Sequence, residues 1–106
     1  MFFGCSSLTK INLSNFNTNN ITDVSWMFKG CSSLTNINLS NFNTNKVTDM
    51  SDMFNGCFSL RELYIFNFKI RKEIRIDRMF SRCLNDLKKK IRKKFKDINN
   101  VAFKDF

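Results

Sequence analysis

MFKGCSSLTNINLSNFNTNKVTDMSDMF, residues 27–54, decides the fold. It opens on Met27 and Phe28 and closes on Met53 and Phe54, the same pair 26 residues later. Stepping back by 26 reaches Met1 and Phe2, and stepping forward reaches Met79 and Phe80. Cys5, Cys31, Cys57 and Cys83 keep the same spacing, and the three glycines, Gly4, Gly30 and Gly56, share one phase. Units therefore start at 1, 27, 53 and 79. The first two agree at 20 of 26 positions, and the third matches the second at nine. The fourth keeps Met79, Phe80 and Cys83 and then diverges. A period of this length marks a repeat array in which each unit closes its neighbour's core.

Within a unit the apolar positions have a phase. Leu8, Ile11 and Leu13 form L-x-x-I-x-L, repeated as Leu34, Ile37, Leu39 and as Leu60, Leu63, Ile65. Alternation at Ile11 and Leu13 predicts a short strand with two inward side chains. The strand positions between and beside them face outward, as do their equivalents in later units. Next comes the turn-rich NFNTNN or NFNTNK, with Phe16, Phe42 and Phe68 at one phase. Val24, Met27 and Phe28, then Met50, Met53 and Phe54, stand at i, i+3 and i+4, which predicts a short helix. Thr22 or Thr48 would cap it, Asp23 or Asp49 would sit in its first turn, and Gly30 or Gly56 would end it. The expected architecture is an α/β leucine-rich-repeat solenoid: short parallel strands alternating with short helices, with a C-terminal helical cap. Residues 1–83 form the repeat body and residues 84–106 a basic amphipathic cap or tail.

The consensus MFxGCSSLTxIxLSNFNTNxVTDMSxMF closely resembles the BspA-like leucine-rich repeats of bacterial surface proteins, in their mycoplasma-type 26-residue form. The resemblance covers residues 1–60, decays through 61–83 and ends there. It implies an adhesive or host-interacting surface protein, a cell-surface or secreted location, and a protein ligand, host proteins among the candidates. It carries no catalytic motif. The chain opens inside a unit and shows no signal peptide, so a piece of a longer array is expected. No apolar run approaches the ~18 residues of a membrane span.

Charge divides the chain. Residues 1–60 hold three Lys and three Asp, whereas residues 61–106 hold 15 cations and six acids, which accounts for the whole net charge of +9. From Leu84, the residues Leu87, Ile91, Phe95 and Ile98 follow helical spacing, and Lys88, Lys89, Lys90, Arg92, Lys93 and Lys94 fill the other faces. Two roles stand open for this segment. It caps the last unit, or it docks on an anionic membrane or nucleic acid. No stacking platform or nucleic-acid motif accompanies it.

The candidate binding face is the outward side of the strands: Asn12, Ser14, Asn38, Ser40, Tyr64 and Phe66. The aromatic pair is the stronger contact candidate. The chain has no His, which removes the commonest general base and metal ligand. Its cysteines lie too far apart for the close pairs of zinc sites. A column of buried free thiols is expected, because side chains stacked in parallel point poorly for disulfides. Asp23 and Asp49 read as stacked helix-entry residues rather than an acid–base pair. A non-enzymatic protein-binding module is expected, with no cofactor, no metal and no small-molecule substrate.

Overall fold

The computed structural model describes residues 6–13, 17–65 and 67–105, excepting the side chain of Asn12. Strands form where the alternation places them: β1 at Lys10–Asn12, β2 at Asn36–Asn38 and β3 at Glu62–Tyr64. They pair in parallel, in the order β1-β2-β3. The register equals the sequence period: Ile11 faces Ile37, and Ile37 faces Leu63. Ile37 is fully buried in the middle strand, and Leu34, Leu39 and Leu60 are buried around it.

The expected leucine-rich-repeat solenoid with a helix after each strand is corrected. Among the described residues the sheet is open and three-stranded, no helix lies between its strands, and the one α-helix follows them all. The body is compact, 32 × 31 × 22 Å with a radius of gyration of 12.4 Å. The segments around residues 22–30 and 48–56 are runs of turns.

Backbone hydrogen bonding gives the reason. Alternate N–H groups leave the turn and donate to the next layer: Val24 to the Asp49 carbonyl at 3.0 Å, Trp26 to Ser51 at 3.0 Å, Phe28 to Met53 at 2.9 Å and Gly30 to Asn55 at 2.8 Å. The intervening ones close local turns three residues back: Met27 to Val24, Lys29 to Trp26 and Cys31 to Phe28. An α-helix would send every N–H to the carbonyl four residues back. Here half of that set is spent between layers. The same alternation recurs at Met50, Asp52, Phe54 and Gly56, which donate to Arg75, Asp77, Met79 and Ser81.

Two side-chain details reinforce the turn. Asp23 Oδ1 accepts from Ser25 N at 2.8 Å and from Ser25 Oγ, and Asp49 does the same with Ser51. An Asx turn of this kind competes with helix entry. The expected threonine caps are absent: Thr48 Oγ1 donates to the Thr22 carbonyl instead. Directly after Ser25 and Ser51 the chain turns left-handed, at Trp26 (φ 64°) and Asp52 (φ 58°), and again at the same phase at Arg78 (φ 56°). That conformation ends any helix.

The inward side chains build stacked columns. Phe28 lies 5.6 Å from Phe54, Phe54 lies 5.6 Å from Phe80, and Phe80 lies 5.7 Å from Phe103. Phe42 stacks on Phe68. Buried Thr18 and Thr44 act at another phase: each hydroxyl oxygen accepts the backbone N–H of the next layer, from Asn43 and Lys69.

The tail completes this arrangement. Helix α1 spans Asn85–Lys94 and buries Leu87 and Ile91, while Leu84, Phe95 and Ile98 are half-buried against the same core. The periodic stripe read from sequence is therefore inward, though the helix ends before Phe95. A short 3-10 turn follows at Asn100–Phe103. The Val101 and Ala102 carbonyls accept from Arg78 N and Phe80 N at 2.9 and 2.7 Å. Ala102 and Phe103 thus stand where Met and Phe stand in the repeat. Asp105 fastens the end by accepting from Ser81 Oγ and Arg82 N, both at 2.9 Å.

Candidate binding surfaces

The parallel register stacks Asn12, Asn38 and Tyr64 in one column across the sheet. Asn38 is exposed, and its Oδ1 accepts from Ser40 N at 3.0 Å and Ser40 Oγ at 2.7 Å. Its acceptor is thus engaged in a local turn. Tyr64 is 36% exposed, and its hydroxyl donates to Glu62 Oε2 at 3.3 Å. Ser14 and Phe66 lie outside the described residues, as does the side chain of Asn12.

The basic residues of α1 divide into two groups. Lys88 is half-buried with its Nζ 4.0 Å from Asp105. Arg92 lies 3.9 Å above the Phe103 ring, and its Nη1 donates to Asn100 Oδ1 at 2.7 Å. Both tie the tail to itself. Lys89, Lys90, Lys93 and Lys94 are exposed.

Between β3 and α1 runs a groove that the periodicity did not reveal. It consists of two adjoining cavities of about 240 and 410 Å³, which share Arg61, Glu62, Leu87 and Lys90. Leu63, Ile65 and Ile91 line the first, with Tyr64 and Lys94 at its edge; Leu84 and Asp86 line the second. The floor is apolar and the rim charged, a combination typical of peptide and ligand sites. The only sequence signal was indirect, since the inward residues of β3 and α1 were both legible but their separation was not. A larger cavity of about 550 Å³ lies between residues 70–77 and 97–101. Its walls carry ion pairs of their own, Arg71 with Glu73 at 2.9 Å and Arg75 with Asp77 at 3.3 Å.

Sequence reasoning also missed a cluster at the left-handed phase. Asp52 is buried and accepts from Arg78 Nε and Nη2 at 3.2 and 3.3 Å, and from Asn55 Nδ2 at 2.8 Å. Burial alone would raise the Asp52 carboxyl. The hydrogen bonds from Asn55 and Arg78, with the charges of Arg78 and Lys29, outweigh it and hold the group below its ordinary 3.8. Lys29 Nζ sits 4.2 Å from the centre of the Trp26 ring.

The cysteines are not all free. Cys31 is disulfide-bonded, which corrects the expected column of free thiols at that position. Cys57 and Cys83 are buried free thiols whose Sγ atoms donate to the Phe28 and Phe54 carbonyls, each at 3.3 Å. Burial pushes Cys57 up to about 12 and Cys83 in the same direction. Neither presents a thiolate near neutral pH. Among the described residues, no group of three or more His, Cys, Asp or Glu could hold a metal ion. No described helix is long and apolar enough to cross a membrane.

A family model described as a Mycoplasma protein of unknown function, DUF285, matches residues 1–104. The chain belongs to the DUF285 family. The match extends past the clean repeats through α1 and the closing turn, so the basic tail is part of the DUF285 unit. It stands in place of the narrower BspA-like assignment, which it does not carry. No curated protein sequence and no solved structure matches the chain.

Proposed function

We propose that the chain is a non-catalytic repeat module that binds another protein, carried on a surface protein, through the side formed by β3 and α1. The observation that carries this reading is the open groove with an apolar floor and exposed Tyr64 beside it. The reactive side chains are engaged elsewhere, which fits the same reading. Asp23 and Asp49 hold turns, Asp52 is paired with Arg78, and Cys57 and Cys83 are buried. Docking on an anionic membrane or nucleic acid is the second reading, favoured by exposed Lys89, Lys90, Lys93 and Lys94. The apolar stripe of α1 that would enter a bilayer is spent on the core, however, with Leu87 and Ile91 buried.

Panning a displayed random-peptide library on the folded chain tests the proposal. Enriched binders should compete with one another and should weaken about tenfold on Tyr64→Ala, as for an aromatic contact residue. Failure to enrich any sequence over an unrelated basic protein contradicts it.

A further inference from the structure

We infer that the groove between β3 and α1 accepts an extended acidic peptide as a fourth strand of the sheet. This rests on the protein-binding reading and names the partner's chemistry. Three observations converge on it.

First, β3 is a sheet edge. It pairs with β2 on one side, and among the described residues the sheet order ends there. The Tyr64 carbonyl accepts from Leu39 N at 3.0 Å, so Tyr64 directs its backbone toward β2. Alternation then turns the Leu63 N–H and carbonyl outward, toward the groove. An edge with unsatisfied backbone groups is a template for another strand.

Second, the groove flanks that edge and has the right floor. Leu63, Ile65, Leu87 and Ile91 line it, the last three buried and Leu63 half-buried, so the inward side chains of an added strand would rest chiefly on Leu63. A peptide strand has a two-residue period, so its other side chains point to the rim.

Third, the rim is basic where α1 overhangs it. Lys90 and Lys94 are exposed, one helical turn apart, and Arg61 faces them across the groove. The two acids nearby are Glu62, which accepts the Tyr64 hydroxyl, and Asp86, in the first turn of α1. A ligand alternating apolar and acidic residues meets both requirements. A nucleic acid would meet only the charge.

Fluorescence anisotropy on the full chain tests this with a labelled, capped heptapeptide of alternating Glu and Val. Binding should weaken about tenfold when Gln replaces every Glu, and also on Lys90→Glu with Lys94→Glu at unchanged melting temperature. N-methylation of alternate peptide nitrogens should abolish binding in one register and spare it in the other, because only one set faces β3. That arm requires no protein variant. Equal loss from both N-methylated sets, or from neither, overturns strand addition. A Gln peptide that binds as tightly overturns the charge selection, while leaving the protein-binding reading in place. An oligothymidine of equal charge that displaces the peptide and binds as tightly overturns the peptide in favour of a polyanion. No binding by the acidic peptide, with library-selected peptides still bound, overturns this ligand class alone.

Discussion

Single residues in this chain are chosen by backbone conformation as much as by side chain. Gly30 and Gly56 adopt φ values of 76° and 83°, where a side chain is strained. At Gly56 a Cβ would meet only ordinary contacts, 3.5 Å to Gly30 N and 3.6 Å to Gly30 Cα. Conformation rather than crowding therefore selects glycine. Gly56→Ala should cost about 1 kcal/mol in urea unfolding, the usual left-handed penalty. A change below a few tenths would show that the turn relaxes. In the fourth turn Arg82 takes the glycine phase at φ 61°, and its N–H is held by Asp105. A second residue-scale effect is acid sensitivity. Asp52 is held below its ordinary 3.8 in the fold, and Asp105 is lowered as well, chiefly by the Arg82 N–H and the Ser81 hydroxyl. Their contribution is fully present above the unfolded value and disappears as pH falls through the folded one. The urea midpoint should therefore drop as pH falls below the ordinary 3.8, and Asp52→Asn should flatten that dependence. An unaltered profile in the variant would remove Asp52 from the account.

At the scale of elements, strand and turn differed in how legible they were. The strands were readable because alternation and the 26-residue step point to the same residues, and Ile11, Ile37 and Leu63 pair as that step requires. The intervening segments were misread as helices. Val24, Met27 and Phe28 are indeed buried, so their spacing reported the inward face correctly. It did not report conformation, because a stack of tight turns can bury the same positions as one helical face. The left-handed residues that distinguish the two are Trp26, Asp52 and Arg78, which share a phase but no chemistry. The D-x-S of Asp23 and Ser25, and of Asp49 and Ser51, was the available clue. Helix α1 was legible from its stripe; that Lys88 and Arg92 also make contacts within the tail was not, because Asp105, Asn100 and Phe103 lie outside the helix.

At the scale of the whole molecule, the tail closes what the repeats leave open. The Phe column would end at Phe80 without Phe103, and Arg78 and Phe80 would lose the Val101 and Ala102 carbonyls. Unpaired N–H groups at a core edge cost about 1–3 kcal/mol each, and an aromatic removed from a core costs about 3–5 kcal/mol. Those losses rival the ~5–15 kcal/mol that stabilises a typical domain. A chain ending at Cys83 should therefore lose its cooperative melt by circular dichroism; a retained transition would mean that the layers stand without the tail. The apolar spacing of the tail was visible in the sequence, but its role stood open between a cap and an anionic docking segment. The groove it forms with β3 was not, because it depends on where α1 comes to rest.

Turns joined layer to layer in the 26-residue register hold β3 and α1 on either side of the groove. Scalar couplings across hydrogen bonds, measured by NMR on isotope-labelled chain, report donor–acceptor pairs directly. The Phe54 amide should couple to the Met79 carbonyl, and the Asp52 amide to that of Asp77. Coupling of Phe54 to the Met50 carbonyl, the helical partner four residues back, would contradict the account.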